Sequence, residues 1–362
     1  MKDGKKDENL KEIIKKGSGY RKLVATLVAV TGMSAVAVIG AKELYDSFFR
    51  RYERPDYATK AGLYNYELLK DELPREEISF YSGKVRLKGY YYKAESGKGL
   101  VVVVHGLHAG ADDYLPITEY FVKSGYNVFA YDGTGTYDSE GNSTVGMCQS
   151  LVDLDSALKF IETDAELSAY PLFLLGHSCG GYAVTSALSL HKNVSACAGI
   201  AAVNNCYTLI VEKGMQYGGK LAAEGIPKIF LEAYQSILFG DYTNYSGAKG
   251  ISESDIPVLI AHGNNDKIIS FGGQSVISHR DEITNPNVEY YIGVGDCGGH
   301  DSIWHSERSA KYRAKVDKAA KEIDDAAKKA EFYKTVDNRL YSEINYELFD
   351  KIKSMFDRTL EN

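Results

Sequence analysis

A chain of 362 residues with 44% apolar and 25% charged residues holds enough apolar material for one large core or two smaller ones. Its formal net charge of −7 excludes a nucleic-acid binder that works through a broad basic face. Five cysteines (Cys148, Cys179, Cys197, Cys206 and Cys297) lack CxxC spacing and imply neither a metal framework nor a disulfide scaffold. Buried or free thiols are preferred over a Cys197–Cys206 bridge.

In chain order, residues 1–22 form a polar leader with Lys2, Lys5, Lys6, Lys11, Lys15, Lys16, Arg21 and Lys22. Residues 23–41, "LVATLVAVTGMSAVAVIGA", carry no charge. As a helix this run would span roughly 28 Å, close to the hydrocarbon thickness of a bilayer. The lysine-rich side is expected to stay cytoplasmic, so residues 42 onward would lie outside a cell membrane crossed once. The rival expectations are a signal segment cut near Ala35-Val36-Ala37, giving a secreted protein, and a buried soluble helix. Residues 42–77, charged and containing Pro55 and Pro74, read as a juxtamembrane spacer before a domain at 78–362.

That domain opens with "EISFYSGKVRLKGYYYKAE", whose alternation around Ser82-Gly83 predicts a hairpin. Short apolar runs then alternate with helical stretches: "GLVVVVHG", "YNVFAYDG", "YPLFLLGHS", "ACAGIAAVN", "IPVLIAHG" and "VEYYIGVG". Continuous apolar strands between helices predict an α/β fold with a mostly parallel central sheet flanked by helices. Ligands of such sheets bind beyond the carboxyl ends of the strands. Four predicted strand ends carry reactive groups: Ser178 in "LLGHSCGG", Asp266 in "AHGNNDKII", His300 in "GDCGGHDSIWH", and the His105-Gly106-Leu107 turn.

A G-x-S-x-G turn leading from strand to helix, followed in order by an Asp and a His, resembles the α/β-hydrolase superfamily, in its branch of serine esterases, lipases and S33-type peptidases. The resemblance covers roughly residues 78–305 plus a final helix near 342–358. It implies Ser178 as nucleophile, His300 as proton shuttle and Asp266 as the residue that orients His300. It also implies an oxyanion hole built from the backbone N–H groups of Leu107 and Cys179, with no metal and no organic cofactor. His305 is weighed against His300 and read as a surface or pocket-rim residue. His108 and His177 are also set aside, and Asp296 and Asp301 are read as solvated loop acids. Cys179 is assigned its amide rather than its thiol. "YDGTGTYDSEGNS" departs from the superfamily's "D-x-R-G-x-G-x-S" loop at Thr134 and Tyr137, which bears on loop shape.

Residues 205–250 are expected to form a short helical lid, with Met215, Tyr217, Phe230 and Tyr234 lining an acyl pocket. Residues 306–340 read as one charged, alanine-rich surface helix stabilised by i,i+4 ion pairs. The expected activity is cleavage of a small or medium carboxylic ester, with the membrane engaged through residues 23–41 and no nucleic-acid partner. The alternatives are a peptidase or amidase of the same fold, with Glu212 or Glu224 holding the substrate amine, and a non-catalytic membrane-tethered binding protein. The sequence fixes no oligomeric state.

Overall fold

Apolar and β-branched runs form the sheet because residues buried on both faces need no polar alternation. The computed structural model describes residues 39–40, 42–43, 45–58, 65–213 and 226–361. Among these, β1 (Glu76–Ser82) and β2 (Val85–Tyr92) make the hairpin, turning at Gly83 with φ 58°. The strands β3 (Leu100–Val104), β4 (Asn127–Asp132), β5 (Leu172–His177), β6 (Val194–Ile200), β7 (Val258–Gly263) and β8 (Val288–Gly293) follow. The sheet order is β1-β2-β4-β3-β5-β6-β7-β8. Strands β3 to β8 run parallel, and β2 runs antiparallel to both of its neighbours.

Two cores cover the two faces. On one, α1 (Leu115–Lys123) packs beside the C-terminal helix, which runs Tyr346–Leu360. That helix buries Leu348, Phe349, Ile352, Met355 and Phe356, spaced as one helical face, and Phe356 stacks on Phe173 at 4.6 Å. Each such side chain contributes about 1.5–3 kcal/mol of burial. The other face carries α2 (Gln149–Thr163) and α3 (Cys179–Ser186).

The expected lid divides. Its helix α4 (Ile226–Phe239) is followed by a short turn and then α5 (Gly247–Ser252), which packs under α3. A Cβ on Gly250 would meet the Thr185 carbonyl oxygen at 2.2 Å, so α5 belongs to the core rather than to a cover.

The expected surface helix at 306–340 is corrected. It is broken into α6 (Glu307–Lys321), α7 (Ala326–Tyr333) and α8 (Asn338–Tyr341). Val316, Val336 and Tyr341 gather into a small core of their own, which a straight helix cannot build. Asp325 accepts from Lys328 N–H and starts α7, so the chain has a cap where pairing of charges alone would continue the helix. The C-terminal helix, here α9, starts at Tyr346, capped by Asn345.

The segment at 45–57 does not stand apart from the domain. Tyr45 and Phe49 are buried in the core beneath α4, and the Phe49 carbonyl accepts Thr144 N–H at 2.8 Å. Tyr45 Oη accepts from Gln235 Nε2 at 2.6 Å. Arg51 Nη1 donates to the carbonyls of Ser139 and Gly141, each at 2.9 Å. Arg54 pairs with Asp112 and Asp138, and Arg75 reaches Asp112 at 2.6 Å. Thus the guanidinium groups of Arg51 and Arg54 brace the loop that carries Thr134. Thr134 itself donates to Asp153 at 2.8 Å.

No helix among the described residues is long and apolar enough to cross a membrane. The expected span at 23–41 and the leader at 1–22 lie outside the described residues, apart from Ile39 and Gly40.

Candidate active site

Ser178 joins the end of β5 to the first residue of α3 with φ 58° and ψ −116°. A residue with a Cβ is strained there, and only surrounding structure that over-determines the turn holds it. The glycines supply that structure. A Cβ on Gly176 would meet the Gly180 carbonyl oxygen at 2.2 Å, and one on Gly180 would meet the Val104 carbonyl oxygen at 2.1 Å. The Ser178 N–H is tied to the Ile200 carbonyl at 2.9 Å, fixing the turn to the end of β6.

Loops after β7 and β8 bring Asp266 and His300 together. His300 Nδ1 lies 2.7 Å from Asp266 Oδ2. The other carboxylate oxygen, Oδ1, accepts the N–H groups of Ile268 and Ile269, both at 2.8 Å. His262 Nε2 stands 3.3 Å from Oδ2 and 2.9 Å from the Ile269 carbonyl. Burial alone would raise the Asp266 pKa, but the hydrogen bonds from His262, His300 and Ile269 outweigh it and hold the carboxyl well below the usual range. An ionised Asp266 accepts only, so His300 carries its proton on Nδ1, leaving Nε2 free to accept.

His177, the residue before the serine, is also buried. Its Nδ1 lies 2.8 Å from Tyr114 Oη, and its Nε2 lies 3.1 Å from the His300 carbonyl oxygen. The two imidazole rings are 4.8 Å apart. The neighbour of Ser178 therefore holds the main chain of His300.

Gly106 closes the other side. A Cβ there would meet Ser178 Cβ at 3.2 Å. His105 Nδ1 bonds the Gly106 carbonyl at 2.7 Å, while its Nε2 accepts Gly133 N–H at 2.9 Å. Leu107 and Cys179 line one cavity of about 40 Å³ with Thr134, Met147 and Asp153. Burial pushes the pKa of the Cys179 thiol up to about 12. A thiol so hard to ionise is no nucleophile at neutral pH.

The reading of His305 is corrected, and the other residues singled out in the sequence are placed as follows. His305 is fully buried, not at a surface or rim, with its ring 3.7 Å from that of Trp304. Tyr234 stacks on Phe230 at 5.4 Å and meets Tyr45 edge-on at 5.3 Å, and neither Phe230 nor Tyr234 lines the cavity beside Cys179. Met215, Tyr217 and Glu224 lie outside the described residues. Glu212 accepts the Gln274 N–H at 3.0 Å. Asp301 is exposed, and Asp296 faces Lys311 at 3.4 Å. His108 bonds the Phe48 carbonyl at 3.0 Å. All five cysteines are free, including Cys197 and Cys206. Among the described residues, the one cluster able to offer three metal-ligand atoms is His177, His300 and Asp301.

The residues that sequence reasoning missed are Tyr114, His262 and the partner role of His177. "AHGNND" contained a signal for His262, since a histidine four residues before the acid can fold back on it within one turn.

Residues 95–239 match a family model described as serine aminopeptidase, S33. The solved esterase Pf2001 of Pyrococcus furiosus is similar in fold, with 20% identity and a TM-score of 0.50 over 74% of this chain and 94% of that one. A second crystal form gives 17% identity and a TM-score of 0.51, covering 79% and 98%. Est1E from Butyrivibrio proteoclasticus, solved with ferulic acid bound, is 16% identical with a TM-score of 0.50, covering 68% and 96%. No curated protein matches the chain significantly. The sheet order, the matched segment and these folds together show that the chain has an α/β-hydrolase fold.

Proposed function

We propose that the protein cleaves a carboxylic ester of small or medium size through an acyl-serine intermediate. Ser178 Oγ attacks the ester carbonyl while its proton passes to His300 Nε2. Asp266 holds the ring by Nδ1 and balances the imidazolium that forms. The amides of Leu107 and Cys179 stabilise the tetrahedral oxyanion. On collapse, the carbonyl–oxygen bond breaks and His300 returns the proton to the departing alcohol. A water, deprotonated by His300, then releases the acid from Ser178 and restores the hydroxyl.

The observation that carries this reading is the bond of 2.7 Å between His300 and an ionised Asp266, on a loop held by the residue adjoining a strained Ser178. The thiol of Cys179, raised to about 12, argues against the neighbouring sulfur as the nucleophile. The test is a panel of p-nitrophenyl esters of graded chain length with wild type and Ser178→Ala. Loss of turnover in the variant supports the mechanism, and equal turnover in both contradicts it.

A second reading, a peptidase or amidase, is favoured by the description of the matched family model. Glu212 is already engaged by Gln274, which weakens it as a receptor for a substrate amine. Aminoacyl-p-nitroanilides measured beside the esters decide between the two. We also propose that residues 23–41 tether the domain to a membrane, with the domain outside. Protease shaving of intact cells removes an outward domain and spares an inward one.

A further inference from the structure

We infer that Tyr114 and His177 form a positioning bridge that sets the main chain of His300 against Ser178 and the Gly106–Leu107 turn; the inference rests on the Ser178–His300–Asp266 reading above. The order of protons along the bridge follows from its two ends. The His300 carbonyl oxygen can only accept, so a neutral His177 carries its ring proton on Nε2, 3.1 Å away, and leaves Nδ1 to accept. Tyr114 Oη, 2.8 Å from that Nδ1, then donates its proton to it. The Gly106 N–H can only donate, and it gives to Tyr114 Oη at 3.0 Å.

Burial, and next the positive charge that His300 can carry, lower the His177 pKa to about 4, which keeps the ring neutral and the proton order intact. With its single lone pair engaged by Tyr114, His177 has none for a cation, so the trio with His300 and Asp301 is not a metal site.

The two anchors of His300 divide the work. Asp266 orients the ring by Nδ1, and His177 fixes the backbone that carries the ring. The second anchor matters because it reaches the main chain of His300 itself, whereas the Asn265 N–H and Ser302 Oγ hold only Gly298 and Gly299 before it. A misplacement of about 1 Å at a reacting group costs on the order of 10²-fold in rate. The same bridge grips Gly106, next to the proposed oxyanion donor Leu107, so one network sets both the base and the hole. Both residues are positioning residues and touch no substrate.

The test uses the full chain with Tyr114→Phe, His177→Leu and His177→Gln, and Ser178→Ala as control. Measured are kcat and KM on p-nitrophenyl butyrate, the rate of fluorophosphonate labelling at Ser178, and Tm. Tyr114→Phe keeps the ring that stacks on Trp304 at 5.9 Å and loses only the oxygen. Its kcat should fall about tenfold and that of His177→Leu about 10²-fold, with KM within about twofold. His177→Gln, whose amide N–H can still reach the His300 carbonyl, should recover to within about fivefold of wild type. Labelling rates should follow kcat. Equal loss in the Leu and Gln variants, or a drop in Tm with kcat and labelling unchanged, overturns the bridge. If Tyr114→Phe alone folds, its kcat and labelling rate still decide. An unlabelled wild-type serine, or turnover by Ser178→Ala, would instead overturn the serine reading, and the control shows this separately.

Discussion

The strand-end rim and the cover above it are built by opposite means. At the rim, Ser178 and Asp266, which carries His300, are held by backbone atoms: the Ile200 carbonyl, the amides of Ile268 and Ile269, and the Gly180–Val104 approach. The cover is held by side chains from distant segments. Helix α4 is fixed through Tyr45 to Gln235 and through Tyr234 against Tyr45, and its outer face leaves Ile229 and Ile237 exposed. Backbone anchors admit few substitutions, whereas side-chain anchors can be exchanged. The rim is thus fixed tightly, whereas the contacts that hold α4 can be changed at small cost in stability.

The sharpest way to break this comparison is at the rim. Asp266→Asn should cost about 10⁴-fold in kcat with little change in KM, measured by steady-state kinetics. Because the folded pKa of Asp266 lies below its unfolded value, its stabilising contribution is complete above about pH 4 and lost as pH falls through the folded value. The difference in unfolding free energy between wild type and this variant should therefore narrow on acidification, read by urea melts from about pH 6 down to about pH 3. Gly180→Ala comes next. Its Cβ would stand 2.1 Å from a backbone oxygen, so at least about 3 kcal/mol of stability should be lost.

The N-terminal brace tests the boundary between the two regions. Arg54→Met leaves Asp112 with Arg75, and Asp132 and Asp138 sharing the Tyr90 hydroxyl, and should lower stability by about 2 kcal/mol in a thermal melt. The smallest expected effect is at the cover. Gln235→Leu removes the bond to Tyr45 and should cost about 1 kcal/mol. Its KM across ester chain lengths should shift more than its kcat. A kcat loss matching that of Asp266→Asn would erase the distinction between rim and cover.

The rim was the legible part of the sequence because its determinants are local. Glycines two residues either side of Ser178 report a steric need of the turn itself, and uninterrupted apolar runs report burial on both sheet faces. What eluded the sequence depends on residues far apart in the chain. Tyr114 and His177 meet across 63 positions, and Arg54 meets Asp112 across 58. No periodicity records such pairs. His305 was misjudged because a histidine close to a catalytic candidate looks exposed, whereas packing on Trp304 buries it. The insertion at 306–340 misled for a related reason: charge pairing rewards a continuous helix, while Val316, Val336 and Tyr341 gain more by folding back together.

The most direct measurement of the central claim is site mapping by mass spectrometry after treatment with a fluorophosphonate probe. Wild type should carry the phosphonyl group on the peptide containing Ser178, and Ser178→Ala should carry none. Modification elsewhere in wild type, with Ser178 left free, would contradict the account.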